Sequence, residues 1–307
     1  MKHLLVSLTA VLVITLGAPP ATGQAIPGLL PVGDGRVSSA PESGHVFACQ
    51  TTFRTGRPHS GPWIQGEYWA PLEKPRVEGR IMWPEAETTI THRDDHIHVE
   101  SNGLPVDQPT GRFPIEPTDS VYQYDPNPNA IRAQNLDFRI PAAPVRADSP
   151  GCLPMGMIGF TLTGVALYNA LDDAGLDAAA HEIQDLCDGH PQGRGQYHYH
   201  SGSACLPGAD ADQHVGWALD GSPILGMRDE TGRLLGNHDL DPCHGRAETL
   251  TIAGRVYDYA YRLTPEYPYI MGCFSGVLDP GTRQEIRDGL GERRARPQPG
   301  NRGRPPR

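Results

Sequence analysis

Along much of this chain apolar and polar positions alternate with the two-residue period of an extended strand. The clearest case is Gly195-Gln196-Tyr197-His198-Tyr199-His200, where Tyr and His alternate. In a strand, His198 and His200 point to one face and Tyr197 and Tyr199 to the other. Same-face neighbours lie about 6.5–7 Å apart, from a rise of about 3.3 Å per residue. Two imidazoles at that spacing can lean onto one metal ion through Zn–N bonds of about 2.0–2.1 Å. A partly exposed strand whose histidines hydrogen-bond to neighbours accounts for the pair equally well.

The same period recurs upstream. Thr89-Ile90-Thr91-His92, the turn Arg93-Asp94-Asp95 and His96-Ile97-His98-Val99-Glu100 predict a β-hairpin, followed by an Asn102-Gly103 turn. Ile97 and Val99 form its core face, which sends His96 and His98 toward solvent. Phe138-Arg139-Ile140-Pro141 reads as an edge strand, because proline cannot donate to an interior ladder. Met157 to Val165 reads as a buried strand and turn.

One segment has helical spacing. From Leu176 to Cys187, good helix formers carry an apolar stripe of Leu176, Ala179 or Ala180, Ile183 and Leu186 or Cys187. Asp177 is placed to cap its start, and Gly189 and Pro191 to end it. Such a helix puts His181 and Asp185 on one face, which a plain surface contact also explains. The fold class expected is mainly β with one short α-helix, at the margin of α+β. Its core is an antiparallel β sandwich-like arrangement with long loops, stabilised by disulfides. No internal repeat at a fixed period is visible.

Residues 1–23 read as a signal peptide: Lys2 and His3, an apolar run from Leu4 to Leu16, then small Ala21 and Gly23. That run is too short to span a bilayer. Residues 24–44 read as a Gly/Pro/Ser linker, 45–280 as one domain, and 281–307 as a disordered Arg/Pro/Gly tail. The expectation is a secreted or periplasmic protein without membrane insertion. The chain carries a formal charge of −10 even with eight arginines in that tail. Such a surface repels nucleic acid and attracts cations, while the tail is suited to weak contact with an anionic envelope polymer.

The six cysteines suit three disulfides in an oxidising compartment. Of the 15 possible pairings, Cys187–Cys205, Cys243–Cys273 and Cys49–Cys152 are expected. The first two bracket His- or Tyr-rich segments. A bridge from Cys187 to Cys205 draws the helix end beside the strand of His198 and His200. His181, Glu182, Asp185, His190, His198, His200, His214 and Asp220 all fall within the 40 residues from 181 to 220. Imidazole with carboxylate suits Zn, Cu, Fe or Ni.

The ordered set Gly164-Val165, Tyr168-Asn169, Leu171-Asp172, Cys187, Gly189-His190-Pro191, Tyr197-His198-Tyr199-His200, Cys205-Leu206, Gly216 to Ile224 and Tyr267 to Phe274 resembles the YHYH-domain family of exported proteins. The resemblance spans about residues 90–277. It implies export and domain limits and carries no biochemical activity. Relatives often show a second Tyr/His strand before the closing Pro-Tyr-Ile. Here Tyr257-Asp258-Tyr259-Ala260-Tyr261 keeps the tyrosines and lacks the imidazoles.

Serine chemistry has no Gly-x-Ser-x-Gly elbow, and the zinc-protease pattern fails because His181-Glu182-Ile183-Gln184-Asp185 ends in Asp. His244 reads as a turn residue, and the aspartates 210, 212, 239 and 241 lack the Gly and Glu of a calcium loop. The leading reading is an exported domain that binds a transition metal, Zn or Cu, through His198, His200, His181, Asp185 and His190. A metal-dependent hydrolase or oxidoreductase with Glu182 as its base is the second reading. A metal-free saccharide- or peptide-binding domain is the third.

Overall fold

A computed structural model describes residues 28–54 and 59–282. The segment read as a signal peptide and nearly all of the Arg-rich tail lie outside the described residues. In chain order the elements are β1 (Leu30–Pro31), β2 (Val37–Ser38), β3 (Val46–Phe47), β4 (Ile64–Gln65), β5 (Tyr68–Trp69), β6 (Thr88–His92), β7 (His96–Ser101), β8 (Leu136–Pro141), β9 (Arg146–Gly151), β10 (Met157–Thr161) and β11 (Ala166–Tyr168). A helix α1 (Ala178–His181) follows. Then come β12 (Gly189–Pro191), β13 (Tyr197–Tyr199), β14 (His214–Ala218), β15 (Pro223–Leu225), a 3-10 turn at Asn237–Asp239, β16 (Gly245–Ile252), β17 (Arg255–Arg262) and β18 (Phe274–Gly276).

The chain is mainly β, and its core lies between two sheets. The larger has eight strands in the order β12-β13-β11-β10-β14-β15-β17-β16; the smaller has the order β6-β7-β8. Ile97, Val99, Leu136, Phe138 and Ile140 are buried on the inner face of the small sheet. Phe138 meets Phe160 edge-on across the interface, ring centroids 5.3 Å apart. The hairpin and the edge position of β8 agree with the alternating pattern. The histidines of β7 point away from the core and bind carboxylates: His96 contacts Asp95 and His98 contacts Asp137 at 2.8 Å.

Most ladders are antiparallel; β2 with β3, β11 with β13 and β15 with β17 are parallel. The large sheet has two halves of one plan. From the centre outward, β10-β11-β13-β12 matches β14-β15-β17-β16, and each runs antiparallel, parallel, antiparallel. The pseudo-twofold passes through the Phe160↔Trp217 pair. Gly159 and Gly216 are equivalent there. A Cβ on Gly159 would lie 2.6 Å from the Trp217 carbonyl oxygen, and one on Gly216 2.4 Å from that of Phe160. Only glycine permits this approach. The duplication escapes a fixed-period search because the hairpins differ in size: β12 and β13 have three residues each, β16 and β17 eight each.

The predicted helix over 176–187 is corrected to a single turn. Asp177 does cap it, accepting from Ala180 N–H. The chain then turns extended at Glu182, because nearby carboxylates and carbonyls offer its N–H groups other partners. Ile183 N–H donates to Asp125 Oδ2, and Asp185 N–H to the Gly189 carbonyl. This competition is typical where Asp side chains are in reach. His181 and Asp185 therefore do not share a helical face.

Residues 28–44, read as linker, contribute β1 and β2 to sheets and dock on α1. Gly33 N–H donates to Asp177 Oδ2 at 2.8 Å. Three disulfides close the fold: Cys49–Cys152, Cys187–Cys205 and Cys243–Cys273. These are the expected pairings.

Candidate metal centre

The site forms at the outer end of the first half of the large sheet. β12 pairs antiparallel with β13, and its register sets His190 opposite His198. His200 lies two residues on and points to the same side. Tyr197 and Tyr199 turn to the other side and are fully buried there. Asp185 fixes the hairpin from beneath. Its carboxylate accepts from the Gly111, Cys187 and Gly189 N–H groups at 2.7, 2.9 and 3.2 Å and from the Tyr197 hydroxyl at 2.9 Å. The Cys187–Cys205 bridge ties the chain just before β12 to the chain just after β13.

The three imidazoles converge. Ring centroids are 4.5 Å apart for His190 and His198, 4.8 Å for His198 and His200, and 5.4 Å for His190 and His200. One ligand atom from each lies within 4.8 Å of the others. Glu182 joins them from the loop after α1. Its Oε2 is 3.4 Å from His190 Nε2 and 3.3 Å from His200 Nε2. The histidines are all buried, whereas the Glu182 side chain keeps 22 % exposure.

Hydrogen bonding assigns the protons. His198 Nδ1 faces the Gln196 carbonyl at 3.2 Å, and His200 Nδ1 faces the Asn169 carbonyl at 2.6 Å. A carbonyl only accepts, so each Nδ1 carries the ring's hydrogen, and each Nε2 of a neutral ring is a bare lone pair. These two Nε2 atoms are 3.0 Å apart. Neither nitrogen of His190 has a hydrogen-bond partner, nor does Glu182 Oε2. Burial keeps His190 and His198 well below the usual imidazole range and lowers His200 to about 4. Burial likewise pushes Glu182 well above the usual carboxylate range. The Nε2 lone pairs of His198 and His200 therefore face into the site, beside a His190 ring whose two nitrogens are both unpartnered.

Two other residues with the expected ligand chemistry are used elsewhere. Asp185 has both oxygens filled by the contacts above. His181 donates from Nε2 to Asp34 Oδ2 at 2.9 Å and from Nδ1 to the His59 carbonyl. Burial opposes a charge on His181 and is the largest single influence, but the hydrogen bonds to Asp34 and His59 and the charges of Asp34 and Asp177 together outweigh it and raise its pKa. Both of its nitrogens face oxygen acceptors, so it offers no lone pair to a metal. His214 packs edge-on against Trp217, and His244 contacts the Thr264 hydroxyl at 3.0 Å.

Sequence reasoning missed two supporting groups. The Tyr168 ring stacks on His198 with centroids 3.9 Å apart. Lys74 is buried and donates to the Ala179 carbonyl, and burial lowers its amine to about 7. Tyr168 had a signal in the Tyr168-Asn169 dipeptide. Lys74 had none, because the partners of its amine, Ala179 and Gln184, are distant in sequence.

No curated protein and no solved structure matches the chain. The family model described as YHYH protein matches residues 137–234, a narrower span than the motifs suggest, which ends before β16 and β17. Glu182, His190, His198 and His200 all lie within the residues that match this YHYH family model.

Proposed function

We propose that the protein is an exported, disulfide-stabilised domain that binds one transition-metal ion, Zn or Cu, through His190, His198 and His200, with Glu182 at the fourth position. The observation that carries this reading is the pair of bare Nε2 atoms 3.0 Å apart. Two lone pairs at that distance in a buried site repel unless a cation lies between them. Four ligands at Zn–N distances of about 2.0–2.1 Å stand about 3.3 Å from one another in a tetrahedron. Three of the six edges, at 3.0, 3.3 and 3.4 Å, match that value, and the histidine ligand atoms as a set lie within 4.8 Å. The Nδ1–H bonds to backbone carbonyls are the outer contacts that orient histidine ligands. Buried imidazoles are poor lining for a saccharide groove, which weighs against a metal-free binding domain.

Glu182 keeps an enzymatic reading in view. It is the one member of the group with appreciable exposure, so it is the ligand that a substrate or water would displace, or the base beside an open position. Three disulfides and the YHYH match suit a secreted or periplasmic setting.

The test is metal analysis of purified protein after chelator washing and reloading. The expected result is one equivalent for the native chain and none for His198→Ala/His200→Ala, with all three disulfides intact in both. Equal metal content in the two proteins would falsify the assignment.

A further inference from the structure

The second half of the large sheet repeats the frame of the metal centre with different side chains. Asp241 reproduces Asp185: it accepts from the Cys243 and Gly245 N–H groups at 2.9 and 3.2 Å and from the Tyr259 hydroxyl at 3.2 Å. The ladders agree residue by residue. Gly245 pairs with Tyr261 as Gly189 pairs with Tyr199, and Arg246 pairs with Ala260 as His190 pairs with His198. Arg246, Ala260 and Arg262 therefore stand where His190, His198 and His200 stand in the first half.

A carboxylate oxygen bridges the same two positions in both halves. Glu182 Oε2 lies between His190 and His200. Glu248 Oε2 lies 3.3 Å from Arg246 Nη2 and is bonded to Arg262 Nη2, although it comes from β16 rather than from the loop after α1. The Arg262 side chain is 1 % exposed. It donates from Nε to Glu248 Oε1 at 2.8 Å and from Nη1 to Asp212 Oδ1 at 2.7 Å and the Arg228 carbonyl at 2.8 Å. All these partners are oxygen acceptors, two of them anionic.

We infer that the second half holds a built-in cation site, in which the Arg262 guanidinium fills the position that the metal ion takes in the first half. Small Ala260 stands in place of the third imidazole, and Glu248, Asp212 and the Arg228 carbonyl form a cage selective for a planar cation. A guanidinium is permanently charged and matches a carboxylate with two parallel N–H bonds, so this half needs no ion from solution. The comparison with a metal rests on the proposed role of His190, His198 and His200; the cage itself does not.

The test is Arg262→Ala, read by thermal unfolding with millimolar guanidinium chloride against sodium chloride at equal ionic strength. Removing one partner of a buried pair is expected to lower the midpoint by on the order of 10 °C. Guanidinium is expected to restore several degrees to this variant and none to the native protein, because only the variant has a vacated cage to bind it. Arg262→Ala/Glu248→Gln removes charge on both sides and is expected to unfold later than Arg262→Ala alone, with a weaker guanidinium response. If Arg262→Ala accumulates only as unfolded chain, recovery of folded protein with guanidinium or in the double variant supports the cage. A midpoint equal to the native value, no guanidinium-specific rescue, or a double variant weaker than the single one overturns it. Metal content at the histidines is measured in the same samples: its absence in the native protein would sink the metal reading and leave the cage standing.

Discussion

His190 faces His198 directly across the β12–β13 ladder, and neither nitrogen of the His190 ring has a hydrogen-bond partner. A buried ring in that condition has a local cost of about 1–3 kcal/mol for each unmet polar group. Metal binding would recover it at one of the two nitrogens. His190→Ala is therefore expected to weaken metal affinity on the order of 100-fold or more, since even outer contacts of a ligand are worth about 10–100-fold. His181→Ala is expected to leave affinity unchanged, because that ring is committed to Asp34 and His59. Competition titration with a chromogenic chelator separates the two, and equal losses would refute the ligand set.

Asp185 acts on stability rather than on the ion. Asp185→Ala strands three backbone N–H groups and the Tyr197 hydroxyl in the interior. The expected loss is about 3 kcal/mol or more, from the cost of several buried unmet donors. Denaturant unfolding of metal-loaded protein measures it. A loss under about 1 kcal/mol would mean that the carboxylate is replaceable by water.

The Cys187–Cys205 bridge closes a loop with a sequence separation of 18. Its removal in Cys187→Ala/Cys205→Ala is expected to cost about 3 kcal/mol, the loop-closure value for that size. Because the loop contains all three histidines, metal affinity should fall as well. Undiminished affinity at reduced stability would show that the β12–β13 hairpin holds its geometry unaided.

Acid sensitivity should follow the buried neutral histidines. Burial lowers His244 from 6.5 to about 3. The unfolded chain binds this proton first, so stability from this group is complete above pH 6.5 and is lost as pH falls toward about 3. His244 has a positive φ of 72°, which asparagine tolerates. His244→Asn is expected to flatten the fall of unfolding free energy across that interval, and an unchanged slope would assign the acid response to other groups.

The β character, the hairpin of β6 and β7, the Cys187–Cys205 and Cys243–Cys273 bridges and the side-by-side imidazoles of β13 were legible because each depends on period two or on near neighbours in sequence; Cys49–Cys152, 103 residues apart, was the pair that remained. The helix at 176–187 was over-read because its apolar stripe is real, while Asp125 and the Gly189 carbonyl, which draw the backbone away after one turn, are tertiary partners. Asp185 and His181 look like ligands by spacing; only the fold reveals that Gly111, Tyr197 and Asp34 have already claimed them. The twofold plan of the large sheet was hidden by unequal hairpins, so that the kinship of Arg262 with His200 exists in register and not in sequence.

Both sides of β13 are fully committed, phenols on one and imidazoles on the other. Sliding the strand by a single residue would drive Tyr197 and Tyr199 into the cluster around Glu182 and carry the histidines onto Asp185. Two incompatible chemistries back to back thus make the hairpin self-indexing: an ion captured on one side, or a hydroxyl docked on the other, each rejects the same misalignment.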